Sequence, residues 1–281
     1  MIDILLSTYN GEKFLKEQLD SLLNQTYSDY KILIRDDGSS DNTKSILELY
    51  KNKYEDKISL FFEDNVGPKK SFLNLLEKSN SDYIMFCDQD DIWDKNKLQV
   101  MYDAIKKHNS IPTLVFCDLK VVDENLNIIC DSFYDYQKID RHKTSFFELN
   151  KKAVIPGCSM MINRKLKDLI KFANTDNITM HDSYISYIAS YFGQIIYVDK
   201  KLNLYRQHGQ NTVGAKENSL SFYVKRILNY KWVDVVNYCN YLKDSKKDHQ
   251  LYEFYCNYKE DLKAEDKKRI ISLLKKGKFN V

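Results

Sequence analysis

The stretch Phe86–Trp93, FCDQDDIW, places Asp88, Asp90 and Asp91 within four positions directly behind an apolar run, with Asp94 close after. Adjacent like charges repel, so an acidic knot at a strand end needs a reason. Alternate residues of an extended segment face the same way, which lets Asp88 and Asp90 share one hard cation such as Mg²⁺ or Mn²⁺. That cation would relieve the repulsion and bridge to a diphosphate. The rival reading is a turn with a helix cap, in which Asp91 or Asp94 opens a helix over Asp94–His108. A cap requires one carboxylate, and the segment offers four.

Other polar clusters stand at comparable places. Ser7-Thr8-Tyr9-Asn10 follows the first apolar run, Asp36-Asp37-Gly38-Ser39 the second, and Asn65 with Gly67 the third. In an open parallel sheet, ligands bind beyond the carboxyl ends of the strands, so four consecutive strand ends would deliver these side chains to one rim. The chain has no GxGxxG and no GxxxxGK[ST], and only eight glycines. A backbone cradle for phosphate is therefore not expected, and side chains or a metal would meet phosphate charge.

The elements that must position these groups alternate in period. Ile2–Ser7, Lys31–Arg35, Ile58–Phe62, Tyr83–Cys87 and Thr113–Cys117 have strand length. Gly11–Gln25, Asp41–Tyr54, Lys69–Ser79 and Asp94–His108 have helical spacing. Ser40 or Asp41 is the expected N-cap of the second helix. Such alternation predicts an α/β fold with a mostly parallel sheet between helices. Val121–Asp123 and Ile128–Cys130 read as short strands, Asn163–Phe172 and Asp182–Tyr191 as helices, and Gln194–Tyr205 as one or two strands. From about Leu220 the pattern is helical, which sets a soft boundary near Gly214–Asn218. The expected organisation is a catalytic domain over 1–215 and a basic, aromatic helical extension over 216–281.

Composition bounds the partners. The net charge of the 281 residues is +3, but residues 216–281 carry 15 Lys and Arg against 9 Asp and Glu, leaving 28 against 31 for residues 1–215. Such a tail fits an anionic lipid surface or a solvated helical face, with RNA the weakest partner. Helices there would pack on the main domain, on a second copy of the chain, or against a membrane. Six scattered cysteines without a CxxC pair are expected to be free thiols in a reducing compartment. With no apolar stretch near ~20 residues and no leader pattern, the expected location is cytoplasmic, with peripheral contact at the inner membrane face.

Taken in order, STYNGEKFLKEQLDSLLNQTY, RDDGSSDNT, NVG and DQDDIWDKNKL resemble the family 2 glycosyltransferases, inverting enzymes of GT-A fold that use nucleotide sugars. The resemblance covers about residues 1–215. Within that family, DQDD followed by an aromatic and a late YRQH resemble bacterial rhamnosyltransferase-like enzymes of surface polysaccharide assembly. The resemblance implies that Ser7 and Tyr9 lie against nucleobase and ribose. Asp37 would accept from the ring N–H of uracil or thymine, with Asp36 supporting the loop. Lys70 would approach base or phosphates, Asp88 the ribose, and Asp90 the metal.

An acceptor hydroxyl must lose its proton as it attacks, which a carboxylate can arrange. Asp182, in TMHDSYI, matches the position of the family's base. His-Asp there departs from the frequent Glu-Asp and fits the rhamnosyltransferase-like branch. In Tyr205-Arg206-Gln207-His208, related enzymes let a late histidine complete the metal shell, so His208 is a candidate ligand and Arg206 a candidate diphosphate contact. Pro156-Gly157-Cys158 resembles a segment that shapes the acceptor pocket. Trp93 either walls the sugar or acceptor site or anchors its helix in the core. The implied reaction moves a sugar, dTDP-L-rhamnose being the favoured donor and UDP-hexoses the alternative, to a glycan or lipid-linked acceptor. A nucleotidyltransferase or a non-catalytic sugar-nucleotide binding protein are the rival classes.

Overall fold

The computed structural model describes residues 1–145, 148–149, 155–170 and 180–209. The expected extension over 216–281, the boundary at Gly214–Asn218, Cys239 and Cys256 lie outside the described residues.

One sheet of nine strands organises the chain. Its strands are β1 (Ile2–Thr8), β2 (Tyr30–Asp37), β3 (Ile58–Glu63), β4 (Tyr83–Cys87), β5 (Ile92–Trp93), β6 (Thr113–Val122), β7 (Ile128–Cys130), β8 (Met160–Asn163) and β9 (Gln194–Arg206). The order is β3-β2-β1-β4-β8-β6-β9-β5, with β7 paired to β6. Strands β1 to β4 are parallel, as the alternation predicts. Then β8 enters antiparallel between β4 and β6, and β9 pairs parallel to β6. Two reversals restore direction, so β6 and β9 end on the same rim as β1 to β4. The start of β8 lies on that rim too.

Period-two alternation splits the core between the faces of the sheet. Ile4, Leu6, Ile32, Met85 and Val115 face one way, covered by α1 (Leu15–Leu23), α2 (Thr43–Lys53) and α4 (Lys97–Ile105). Leu5, Leu33, Phe86, Leu114 and Phe116 face the other, covered by α3 (Gly67–Lys78) and the helix His181–Phe192.

Three local expectations shift. Asn163–Phe172 is not one helix: Met160–Asn163 is strand β8, and only Arg164–Lys167 winds after it, with the Asn163 side chain accepting from Leu166 N–H. Its Oδ1 also accepts from Thr113 N–H at 3.0 Å, so the cap doubles as a tie to β6. Asn42, not Ser40 or Asp41, stands at the N-cap position of α2 without a side-chain cap bond, while Asp41 Oδ1 accepts from Thr43 N–H at 2.9 Å. Helix α4 begins after Asn96, while Asp94 Oδ1 accepts from Asn96 N–H at 2.8 Å. Cys87, Cys117, Cys130 and Cys158 are free. Among the described residues no helix is long and apolar enough to cross a membrane.

The helix His181–Phe192 turns back into β9 at Gly193, whose N–H bonds to Ala189 O while Gln194 N–H bonds to Pro112 O. A Cβ at Gly193 would lie 1.9 Å from Pro112 O, a backbone atom that cannot swing aside. Gly193→Ala is therefore expected to lower stability by about 1–3 kcal/mol, the range for overpacking, as measured by urea unfolding. An unchanged midpoint would contradict this packing.

Candidate active site

The first two rim loops are zipped together. Asn10 N–H donates to Ser39 Oγ (2.9 Å), Ser40 N–H to Asn10 Oδ1 (2.9 Å), Gly11 N–H to Thr43 Oγ1 (2.8 Å) and Asn42 N–H to Glu12 Oε2 (2.9 Å). Asp36 is fully buried and takes Ser39 Oγ and N–H and Thr8 Oγ1, which supports the loop from below. Asp37 is also buried. Its carboxylate pairs with Arg35 and accepts the N–H groups of Val66 and Gly67, each at 2.8 Å, where α3 begins. A carboxylate thus occupies a helix N-terminus. Three of its roughly four lone-pair directions are filled, which leaves one for a ligand. Sequence reasoning did not single out Arg35, a buried strand arginine that also reaches Glu63 and Asp64 O.

The structure accounts for Gln89 inside the acidic run. Its Oε1 accepts from Tyr9 N–H at 2.8 Å and its Nε2 donates to Tyr9 O at 3.0 Å, tying β4 to β1. A Cβ at Gly11 would fall 2.3 Å from Gln89 Oε1, so a larger residue there would push the Gln89 amide aside. Tyr9 itself stands 49% exposed at the rim, and Ser7 Oγ meets Ser71 Oγ at 2.6 Å. Lys70 sits in the first turn of α3, beside the Asp37 contacts.

Asp88, Asp90 and Asp91 meet three different surroundings. Asp91 is fully buried; its Oδ1 accepts from Arg206 N–H at 3.2 Å and its Oδ2 from Asn203 Nδ2 at 3.3 Å. Burial, with the charges of Asp90 and Asp88, holds its carboxyl well above the usual range. Asp90 meets His208, with Oδ2 and Nε2 2.7 Å apart across 118 positions of sequence. Asp88 is half-buried, and its pKa is pushed up to about 7 by burial, then by Asp90 and by Asp182, against a lowering hydrogen bond from Cys158. Two charges separated in sequence, Asp90 and Asp182, are therefore both felt at Asp88.

Asp182 is half-buried in the first turn of its helix, and its Oδ1 accepts from Ser183 N–H at 2.6 Å. Its Cβ lies 3.6 Å from where a Cβ on Gly157 would stand, which puts the Pro156-Gly157-Cys158 segment against the candidate base. His181 beside it is buried between Phe72 and Phe86, and burial lowers its pKa. Arg206 is buried and clamps the main chain, with Nε donating to Asp90 O at 2.8 Å and an Nη to Glu124 O at 2.7 Å, while it pairs with Glu17. A diphosphate contact would require it to leave these bonds. Trp93 is 3% exposed, with Lys97 Nζ 3.7 Å from its ring centroid; of its two expected roles this geometry is that of a core anchor.

Two donor sets can be weighed as a metal centre. Asp90 carboxylate and His208 imidazole, 2.7 Å apart, form an oxygen and nitrogen pair of the kind that suits Mn²⁺ or Mg²⁺, with Asp88 near enough to feel the charge of Asp90. Asp88, Asp91 and Cys158 also bring ligand atoms within 4.8 Å of one another. In that group Asp91 and Cys158 are buried, and Asp91 is tied to β9. The first set fits better.

A family model described as Glycosyl transferase family 2 matches residues 3–170. The chain belongs to that family. It is 33% identical over 260 residues to the dTDP-rhamnosyl transferase RfbG of Shigella flexneri, covering 86% of this chain and 82% of that one. The glycosyltransferase GlyG of Streptococcus pneumoniae is 25% identical, over 74% of this chain and 71% of its own length. Among solved structures, S. aureus TarS in complex with UDP-GlcNAc superposes with a TM-score of 0.60 at 20% identity, covering 97% of this chain and 79% of TarS. The Pyrobaculum calidifontis mannosyltransferase PcManGT, in complex with GDP-Man and Mn²⁺, gives 0.56 at 16% identity over 88% of this chain and 64% of its own. The fold is that of a GT-A glycosyltransferase, a mixed α/β sheet flanked by helices.

Because the Asp88 pKa is raised in the folded state, the native protein binds more protons than the unfolded chain between about pH 4 and 7. Its contribution to stability is thus lost as pH rises through that window. Without divalent cation, Asp88→Asn is expected to gain stability over wild type progressively from pH 4 to 7, by thermal unfolding. A constant difference would contradict the crowding at Asp88.

Proposed function

We propose that this chain is an inverting glycosyltransferase that moves L-rhamnose from dTDP-L-rhamnose to a hydroxyl of a glycan or lipid-linked acceptor in surface polysaccharide assembly. The observation that carries it is the convergence of Asp90, His208, Asp88 and Asp182 at one rim of a family 2 fold. The match to a dTDP-rhamnosyl transferase supports the donor.

In this reading Ser7, Tyr9, Asp37 and Lys70 surround the base and ribose, with Asp88 on the ribose. Asp37 reads the ring N–H through its remaining lone pair, which thymine and uracil satisfy alike. Asp90 and His208 would hold a divalent cation, which supplies charge neutralisation to the leaving diphosphate. Asp182 takes the acceptor proton. Its Oδ1 is engaged by Ser183 N–H, which orients the carboxylate and leaves Oδ2 for the hydroxyl. Attack from that side, opposite the diphosphate, inverts the anomeric centre. Arg206 supports the acidic segment from behind. The basic residues of 216–281 would bring the protein to an anionic membrane carrying the acceptor.

A panel of nucleotide sugars, assayed with and without Mn²⁺ or Mg²⁺, tests donor and cofactor. dTDP-L-rhamnose is expected to raise the unfolding temperature only with the cation, and to be turned over. Stabilisation by a UDP-hexose alone would replace the donor. Asp182→Asn is expected to lower turnover about 10²–10⁴-fold, the span for a general base, with donor affinity unchanged. Full turnover in that variant would defeat the base assignment.

A further inference from the structure

Lys97 opens α4 with its side chain fully buried, an arrangement tolerated only when the ammonium finds partners. It donates to Cys158 O at 2.6 Å and to Asn203 Oδ1, and lies against the Trp93 ring. Asn203, 2% exposed, passes the contact on: its Nδ2 donates to Asp91 Oδ2 and to Cys158 O, each at 3.3 Å. Asp91 in turn accepts Arg206 N–H. Two residues of β9, Asn203 and Arg206, and His208 just beyond its end are thereby tied to the acidic segment, since Arg206 returns to Asp90 O and His208 meets Asp90 Oδ2. The pairing of Trp93 with Asn203 in the β5–β9 ladder fixes the register of this chain of bonds.

We propose that Lys97 and Asn203 form a buried relay that positions Asp90 and His208 for a divalent cation before that cation arrives. The proposal rests on the reading of Asp90 and His208 as its ligands. Lys97 sets a buried donor beneath the carboxylates, and the neutral amide of Asn203 transmits position without adding charge. Lys97 and the Asn203 amide both hold Cys158 O, just before β8, and the amide alone carries that anchor on to Asp91. Asn203 is thus a positioning residue that touches neither cation nor donor.

Replacing Asn203 by a neutral residue leaves the charge near the cation unchanged, so altered cation affinity reports position. Asn203→Leu keeps the volume and removes both arms of the relay. Asn203→Ser is smaller and admits water, which keeps a second variant folded. Mn²⁺ uptake with dTDP present is measured by electron paramagnetic resonance, alongside urea unfolding and dTDP binding without metal. Wild type is expected to take up one Mn²⁺. Asn203→Leu should weaken it at least tenfold and Asn203→Ser about threefold or more, with metal-free dTDP affinity unchanged. Variants that are less stable but bind Mn²⁺ as wild type does would overturn the relay as a positioning device. Absence of Mn²⁺ uptake by wild type would instead remove the metal reading beneath it.

Discussion

Mutual repulsion among Asp88, Asp90 and Asp91 is the constraint around which the rim is arranged. The fold meets it three ways. Asp91 is withdrawn from solvent and tied to β9, Asp90 is paired with His208, and Asp88 holds its proton up to about neutral pH. The first recruits β9, the strand farthest away in sequence among those described, and the second His208 just beyond its end. β5, a two-residue strand, is the ladder that joins the end of the acidic run to β9.

The donor side is built differently. There no large charge is left open, because Asp36 and Asp37 are satisfied by loop hydroxyls, Arg35 and backbone N–H groups. Polar groups so fully engaged cannot rearrange cheaply, which gives the base-facing loops a fixed shape. On the proposed acceptor side a half-buried carboxylate, Asp182, stands against Gly157. A rigid donor shelf and a proton-accepting group on a separate helix suit one displacement reaction between two substrates. The family match covers residues 3–170, and Asp182, the proposed base, lies beyond it.

Much of this was legible from residue order. Apolar runs and helical periods place β1 to β4 and α1 to α4 within a few residues, because the strands are apolar through their length and the helices carry one apolar face. The antiparallel β8 was not, since MMIN adjoins a lysine-rich stretch whose spacing is also helical. The rim clusters announced themselves through polar residues after apolar runs. What sequence could not show was which carboxylates face a ligand. Asp91 looks like Asp88 and Asp90 in the text, yet it is fully buried and tied to β9. Lys97 and Asn203 gave no signal: a lysine in an amphipathic helix and an asparagine in a strand are ordinary, and their meeting depends on a contact over 106 positions. Arg206 was noticed for its charge, but the fold uses its geometry.

The central claim is that Asp90 and His208 are held together to receive a cation. Anomalous diffraction from crystals grown with Mn²⁺ and dTDP tests it most directly. The account predicts a manganese peak between Asp90 and His208, their direct hydrogen bond parted, with diphosphate oxygens completing the shell. An intact Asp90–His208 bond with manganese elsewhere, or none bound, would contradict it.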